Sequence, residues 1–370
     1  MTQDTLEAVA PASPLSAISP CEDVINENIA KNLPVNDRDY AIIVGINHYK
    51  SLHALEGPIT DACAFRNWLI SADGGNLLPE HCFFITSKED DDTPDQQKID
   101  LALSEVFRMA EKQPGRRLYF YFSGHGFGAS WDVNGMCLPI WSERFYNAAL
   151  SSKAYFDLLM EQDLFEEIYF FLDCCRERKI NTKPLHSMLG GKGIGGGKAM
   201  AVVMYAAEYE NPAREGITIS EGNMSVRGYF SRALIEAFKG LAADEHGKTS
   251  MLQFENYVRS KTEAYAHEQQ HVQTVRTDVR NSSNNLDFII VQHRNLDVIT
   301  STALTIRFKQ AGTYRLESPN LDILREDTAN AGDTWQFNLT KGLYGISDGT
   351  VQGSKPIKID LSRKTMEYEY

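Results

Sequence analysis

Long runs of consecutive apolar residues, separated by segments with helical spacing, are the feature that most limits the fold of this chain. The clearest runs are Tyr40–Ile46, Leu118–Phe122, Ile168–Leu172 and Ala199–Tyr205. An uninterrupted apolar run of this length is typical of a strand buried on both faces of a parallel sheet. The segments between the runs, such as Gln96–Glu111, repeat apolar residues every three or four positions. This alternation predicts an α/β fold, a layered sheet with helices on both faces.

The other elements follow from the same two patterns. Further strands are expected at His81–Thr86 and Leu286–Val291, which makes a sheet of about six mostly parallel strands. Further helices are expected at Asp61–Ile70, Ala154–Gln162, Tyr229–Phe238 and Met251–Ala264.

The pattern changes near both ends of the chain. Residues 1–37 are rich in Pro, Ser, Ala and acidic residues and predict a flexible N-terminal arm. Residues 294–370 read as short strands separated by Asn, Asp and Gly, with no helical spacing, which predicts a small C-terminal all-β sandwich. Residues 38–293 then form the main domain, a size that one core accommodates.

Charge and cysteine content limit the partners and the compartment. The net charge of −13 argues against nucleic acid as the main partner, because binding it takes a basic face. No apolar run approaches the roughly 20 residues that span a bilayer, and Met1–Pro20 lacks the basic start of a signal peptide. Six cysteines without a framework spacing suit a reducing environment, so we expect free thiols and a cytoplasmic location.

Two short motifs stand directly after buried strands. Phe122-Ser123-Gly124-His125-Gly126 ends one apolar run and Asp173-Cys174-Cys175-Arg176 ends another. Neighbouring parallel strands bring their carboxyl ends to one edge of a sheet, where open α/β folds keep their sites. The sequence therefore predicts a histidine base beside a cysteine nucleophile, which is the chemistry of a cysteine peptidase.

The alternation of side chains along a strand separates the two adjacent cysteines. Asp173 and Cys175 point to one side and Cys174 to the other, so we expect Cys175 to be the nucleophile and Cys174 a packed thiol. The backbone N–H groups of Gly126 and Cys175 are the expected donors to the oxyanion.

These motifs resemble those of the caspase-like peptidases of clan CD, especially prokaryotic caspase homologues and metacaspases. The resemblance covers about Asp39–Val291 and includes the opening strand Ala41–Asn47 and the helical segment Gly228–Gly240. It implies a caspase-like sheet and an endopeptidase with a dyad of His125 and Cys175.

The resemblance also implies a preference for basic residues. Metacaspases hold a basic residue before the scissile bond with two acidic residues, and the matching positions here are Asp61 and Asp173. Paired carboxylates give an Arg or Lys head charge-assisted hydrogen bonds, so we expect cleavage after Arg, then Lys. Two plainer interpretations stay open: Asp61 as the N-cap of its helix, and Asp173 as the cap of the turn that follows it.

A glycine-rich loop and an acidic loop complete the candidates. Gly190–Gly197 holds six glycines in eight residues, and Lys192 and Lys198 make it a candidate self-processing site. Asp90–Asp92 lacks the spacing of a known calcium loop, although some metacaspases need calcium, so we expect neither a metal nor another cofactor.

The sequence thus predicts an endopeptidase that cuts protein substrates at exposed basic sites, with a C-terminal module that binds a regulatory protein or positions the substrate. Regulated proteolysis in bacterial stress or defence is an expectation by analogy. Two alternatives remain: a catalytically silent scaffold of the same fold, and a dedicated peptidase for one substrate with non-basic specificity.

Overall fold

The structure is a computed structural model that describes residues 21, 24–179, 182–191, 197–220, 223–244, 246–280, 286–293, 302–319, 322–340, 342–348, 355–359 and 365–370, with residues 219, 220 and 223 described by their backbone only. It contains six α-helices in these residues: α1 (Glu27–Ala30), α2 (Gly57–Ile70), α3 (Gln96–Ala110), α4 (Ser152–Gln162), α5 (Tyr229–Glu236) and α6 (Met251–Glu268).

Twenty strands accompany these helices in the described part of the chain. The first thirteen are β1 (Asp39–Gly45), β2 (Cys82–Thr86), β3 (Gly115–Ser123), β4 (Gly126–Ser130), β5 (Val133–Cys137), β6 (Ala149–Ser151), β7 (Phe165–Asp173), β8 (Met200–Tyr205), β9 (Glu215–Ser220), β10 (Asn223–Gly228), β11 (Lys248–Ser250), β12 (Arg276–Arg280) and β13 (Ile289–Gln292). The other seven are β14 (Thr302–Arg307), β15 (Gly312–Glu317), β16 (Ile323–Ala329), β17 (Thr334–Leu339), β18 (Gly342–Ser347), β19 (Lys355–Ile359) and β20 (Thr365–Glu369).

A six-stranded sheet forms the centre of the first part of the chain, in the order β12-β8-β7-β3-β1-β2. Every neighbouring pair is parallel except β12 with β8, which is antiparallel. All seven residues of β1 are buried, as its unbroken apolar run predicted. The prediction of about six mostly parallel strands in an α/β fold is confirmed.

The predicted sixth strand was wrong. Residues of the segment Leu286–Val291 contribute instead to β13, which pairs with β11 and not with the central sheet. The sixth position is taken by β12, whose sequence Arg-Thr-Asp-Val-Arg is largely polar. An antiparallel edge strand has one neighbour and needs no unbroken apolar run, so the pattern that located the buried strands could not find it.

Helices cover both faces of the central sheet because its side chains alternate. On one face, Phe120 and Phe122 of β3 pack in a cluster with Leu103 of α3 and Leu159 of α4. On the other face, Phe65 of α2 contacts Tyr121 and Phe171, and α2 packs against α5. We call these the α3/α4 face and the α2/α5 face.

Helix α2 begins four residues earlier than predicted. Pro58 stands in its first turn, where the missing N–H costs nothing, and the N-cap position belongs to Glu56. Asp61 therefore lies inside the helix and not at its start, so the interpretation of Asp61 as an N-cap is wrong.

Two small sheets that the sequence patterns did not predict lie beside the carboxyl edge of the central sheet. Strands β4, β5 and β6 form an antiparallel sheet, and its residues Met136 and Leu150 pack on the α3/α4 face. Strands β9 and β10 form a hairpin between β8 and α5. Both are short and polar in part, which weakens the alternation that marks a strand.

The chain divides into two compact units. The first comprises the described residues up to Lys239 and from Glu255 to Phe288, and the second comprises Gly240–Phe254 and Ile289–Tyr370. In the second unit, β17-β14-β20 and β16-β15-β18-β19 form two sheets with a shared apolar core that includes Leu304, Leu316 and Trp335. The predicted C-terminal all-β sandwich is confirmed. The prediction assigned one continuous stretch, residues 294–370, to the second unit, whereas the structure adds Gly240–Phe254 to it.

The expectation that every cysteine is a free thiol was wrong. Cys21 and Cys63 form a disulfide, which links Cys21 near the N-terminus to helix α2. The other four cysteines are free, namely Cys82, Cys137, Cys174 and Cys175. A pairing of two cysteines that lie 42 positions apart leaves no mark in their spacing.

Candidate functional site

A cavity of about 430 Å³ opens at the carboxyl edge of the central sheet, where β1, β3 and β7 end. Five of the residues predicted for the site line this cavity: Asp61, His125, Gly126, Asp173 and Cys175. They come from α2 and from the ends of two adjacent parallel strands, as the rule for strand ends predicted. We call this space the catalytic cavity; the roles of its residues stay predictions.

Two residues that follow β1 hold His125 in place. The hydroxyl oxygen of Tyr49 accepts the backbone N–H of His125 at 2.7 Å, and the Tyr49 and His53 rings meet the imidazole edge-on. The Nε2 atom of His125 lies 2.9 Å from the carbonyl oxygen of His53. Because a carbonyl only accepts, Nε2 carries the proton and Nδ1 of the neutral ring keeps a free lone pair. Burial lowers the pKa of His125, although the hydrogen bond to the His53 carbonyl opposes this, so the neutral ring predominates at neutral pH.

Cys175 is a protonated thiol in this arrangement. Its Sγ donates to the carbonyl oxygen of Ala213 at 3.3 Å, and burial raises the pKa of the thiol to about 11. Cys174 is 1% exposed and packs into the core of the α3/α4 face, as the alternation of side chains predicted.

No hydrogen bond joins His125 to Cys175 in the described residues. Each group is bonded to a different backbone carbonyl, His53 for the imidazole and Ala213 for the thiol. The arrangement therefore holds a neutral base and a neutral thiol in one cavity. Hydrogen bonds between such groups often tighten only when substrate is present.

The segment after Cys175 is held by a buried arginine. Arg176 is 0% exposed; its Nε donates to Oδ1 of Asn134 at 2.7 Å, and its Nη1 and Nη2 donate to carbonyl oxygens of Ala207 and Trp131. Its guanidinium also lies over the ring of Tyr205, a cation–π contact. Arg176 thus joins the end of β7 to the loops beyond β4 and β8.

The two predicted oxyanion donors flank the cysteine pair. A Cβ on Gly126 would lie 2.7 Å from Cβ of Cys174 and 3.0 Å from the carbonyl oxygen of Cys175, so only glycine permits this approach of the two strand ends. The backbone N–H of Cys175 has no acceptor in the described part of the chain.

Asp61 is a buried carboxylate with both oxygens occupied. Oδ1 accepts from Nε of Arg227, and Oδ2 accepts the backbone N–H of Gly228 at 2.7 Å. Burial raises the pKa of Asp61 to about 6, although the positive charge of Arg227 opposes the rise.

Asp173 has no cationic partner among the described residues. Its Oδ2 accepts from the backbone N–H of Ser231 at 3.2 Å and from the Ser231 hydroxyl at 2.5 Å. Burial and the negative charge of Asp61 raise the pKa of Asp173 to about 7. The interpretation of Asp173 as the cap of the turn after it does not hold, because its partner lies on α5.

Gly228 separates the two carboxylates. A Cβ at this position would lie 2.3 Å from Oδ2 of Asp173 and 3.1 Å from Oδ2 of Asp61. Glu215 adds a third carboxylate, which accepts the backbone N–H groups of Glu56 and Gly57 at the start of α2. We call Asp61, Asp173 and Glu215 the carboxylate pocket; all three line the catalytic cavity.

Of the two predicted self-processing residues, the structure describes Lys198 alone, and it does not line this cavity. Lys198 is exposed, and its backbone N–H donates to Asp163, while Lys192 lies outside the described residues. Within the described ranges, no group of three or more His, Cys, Asp or Glu side chains is arranged to hold a metal ion. None of the described helices combines the length and apolar character needed to cross a membrane.

Sequence reasoning missed Tyr49, His53, Glu215, Arg227 and Ser231 as members of the site. Tyr49 and His53 follow the end of β1, so the rule for strand ends could have singled them out. Arg227 and Ser231 belong to the β9–β10 hairpin and to the helix after it, and no local pattern indicates that they return to this edge of the sheet.

Comparison with known families gives one broad match. A sequence profile described as the caspase domain matches residues 38–308, which is more than half of the chain.

Two relatives and one solved structure are similar over parts of the chain. A probable protease from a Desulfuromonadales bacterium is 32% identical over 152 residues, which is 38% of this chain and 18% of that protein. Metacaspase-1 of Candida glabrata is 34% identical over 102 residues, 26% of this chain and 24% of that protein. The chain thus matches about a fifth to a quarter of each relative's length. The crystal structure of the Drosophila initiator caspase Dronc aligns with a TM-score of 0.41 and 11% identity, over 74% of this chain and 94% of that one.

Proposed function

The chain belongs to the caspase-domain family of cysteine peptidases, and from this membership we propose that it is an endopeptidase with Cys175 as nucleophile and His125 as base. The observation that carries the proposal is that thiol and imidazole line one cavity with three carboxylates at its wall. One cavity therefore holds the groups needed for thiol attack, for proton transfer and for the selection of a cationic side chain.

The chemistry follows from the two neutral groups. When substrate displaces the thiol from the Ala213 carbonyl, Sγ of Cys175 transfers its proton to Nδ1 of His125 and attacks the carbonyl carbon. The oxygen that gains the negative charge is stabilised by the N–H groups of Gly126 and Cys175. His125 returns the proton to the leaving amine, and water then hydrolyses the thioester to release the acid and restore the thiol.

The charges of the carboxylate pocket favour a basic residue before the scissile bond. Arg227 supplies one positive charge beside Asp61, whereas Asp61, Asp173 and Glu215 supply three carboxylates. The ionised pocket therefore has a net negative charge. An Arg or Lys side chain of the substrate would balance it and form charge-assisted hydrogen bonds to the carboxylates. We propose cleavage after Arg, then Lys.

A peptide library and three variants test this proposal. Wild type should cut after Arg and Lys, Cys175→Ala and His125→Ala should be inactive, and Asp173→Ala should lose the basic preference while the protein stays folded. Cys82→Ala serves as the matched control, because Cys82 is a free thiol on β2 that does not line the cavity. Cleavage that ignores the residue before the cut would contradict the pocket assignment.

One observation favours a second candidate, a catalytically silent scaffold. His125 and Cys175 are bonded to separate carbonyls and not to each other. If Cys175 fails to react selectively with an alkylating agent and no peptide is cut, the scaffold is the better description. A dedicated peptidase would instead cut one protein and ignore short basic peptides.

Further parts of the proposal concern processing, partners and place. We propose that the enzyme cuts itself at Lys192 or Lys198, which mass spectrometry of purified wild type against Cys175→Ala tests directly. The C-terminal sandwich is proposed to bind a regulatory protein, and the enzyme is proposed to work without a metal, in the cytoplasm, in regulated proteolysis of the stress or defence type.

A further inference from the structure

A second cavity of about 910 Å³ continues from the catalytic cavity. The two share the residues Leu52, Trp141 and Lys179. We call the second space the continuation groove. It contains none of the three residues of the carboxylate pocket.

The groove and the carboxylate pocket are bordered by elements from opposite faces of the central sheet. Asp173 is bonded to Ser231 of α5, on the α2/α5 face. Trp141 packs with Phe127 and Cys137 of the small sheet that covers the α3/α4 face. A substrate with its basic side chain in the carboxylate pocket therefore continues past the nucleophile toward Trp141.

The groove carries an excess of positive charge in a chain whose net charge is −13. Its charged members are Arg144, Lys179 and Glu143, all exposed. Neither Arg144 nor Lys179 makes a side-chain ion pair or hydrogen bond within the described ranges. Leu52, Trp141 and Tyr146 add apolar wall on which an extended chain can lie.

We propose that the continuation groove binds the substrate residues after the scissile bond, and that Lys179 and Arg144 select an acidic side chain among the first three of them. This rests on the proposed function, since it takes the basic residue before the cut as its reference point. The preferred substrate is then a basic residue followed closely by Asp or Glu. The enzyme reads charge of opposite sign on the two sides of the cut.

The test reads the two sides of each cut separately. Wild type is incubated with a peptide library, and the residues before and after every cut are identified by mass spectrometry. Enrichment of Asp and Glu in the first three positions after the cut supports the inference. The inference is overturned if Asp and Glu are enriched only before the cut, or if they are not enriched at all. This holds whichever residue precedes the cut. Loss of basic residues before the cut contradicts the proposed function alone, and a protein that cuts nothing contradicts both.

A pair of peptides measures the size of the effect. They share the residues up to the basic one, and differ in two acidic or two glutamine residues after the cut, because lysines there would add cut sites of their own. Exposed ion pairs are weak, so we expect kcat/KM to favour the acidic peptide by about two- to fivefold per cation, and to do so less in 0.5 M salt. Lys179→Glu and Arg144→Glu should lower or reverse this ratio. Lys112→Glu, an equal charge change on an exposed residue outside both cavities, should leave it as in wild type. An unchanged ratio in Lys179→Glu, Arg144→Glu and their combination would overturn the role of the cations.

Discussion

The thiol of Cys175 donates its proton to the carbonyl oxygen of Ala213, 3.3 Å away. Burial keeps the sulfur in its neutral form, with a pKa raised to about 11, and the neutral thiol is the donor in this contact. Ala213 belongs to the loop between β8 and β9, so the loop that borders the cavity also accepts the hydrogen bond of the proposed nucleophile. A neutral thiol is a poor nucleophile, so in the proposed mechanism Cys175 reacts only when a substrate takes the place of that contact.

Alkylation of the free enzyme should depend steeply on pH. Only the thiolate reacts, and a pKa of about 11 leaves roughly one part in 10⁴ ionised at pH 7. The rate of Cys175 alkylation by iodoacetamide should therefore rise about tenfold for each pH unit between 7 and 10. Mass spectrometry of the Cys175 peptide measures it, with Cys175→Ser to identify background from other thiols. A rate that is flat across this range would show a thiolate already formed at neutral pH.

Selectivity for a basic residue should increase with pH. The pKa of Asp61 is raised to about 6 and that of Asp173 to about 7, so the carboxylate pocket gains negative charge as the pH rises through this range. The ratio of kcat/KM for an Arg peptide to that for its Gln analogue should therefore grow from pH 5 to pH 8. In Asp173→Asn the part of the rise centred near pH 7 should be missing. A ratio that falls with pH would mean that these carboxylates do not bind the basic head.

Removing the guanidinium of Arg176 should destabilise the protein. Arg176→Met leaves the acceptors on Asn134 and Ala207 without their donor, at a cost of about 3 kcal/mol, while the Trp131 carbonyl keeps its hydrogen bond from Arg276. The midpoint of thermal unfolding should fall, and activity below that midpoint should fall with it because the cysteine loop loses its anchor. Arg178→Met is the control, since Arg178 is exposed and approaches Glu210 only at 3.9 Å. Equal stability of the two variants would contradict this role.

The disulfide between Cys21 and Cys63 should stabilise the folded chain by an amount of up to about 4 kcal/mol, because it closes a loop with a sequence separation of 42. A reducing agent should lower the thermal midpoint of wild type and leave that of Cys63→Ser unchanged. Trapping thiols in cells before lysis then tests the proposed location. A bond found intact in rapidly trapped cells would argue against a reducing cytoplasm.

The sequence predicted the parts of the molecule that depend on local pattern. His125 and Cys175 follow buried strands, and the parallel pairing of β3 and β7 brings the carboxyl ends of these strands to one edge of the sheet. Arg227 and Ser231 were not predicted because the β9–β10 hairpin is short and its return to Asp61 and Asp173 depends on tertiary packing. Strand β12 was missed for a related reason, since an edge strand needs little apolar sequence.

Gly228 gives the pocket a property that neither aspartate has alone. Because a side chain at this position would press on Oδ2 of Asp173 at 2.3 Å, Gly228→Ala would displace that carboxylate and leave every charge in the chain unchanged. The position and the charge of the Asp173 carboxylate can then be varied independently. Substitution of Gly228 moves the carboxylate, and substitution of Asp173 removes it. Substitutions at residues 228 and 173 therefore offer two separate ways to alter the proposed substrate preference. The backbone N–H of Gly228, which donates to Asp61, is present in both.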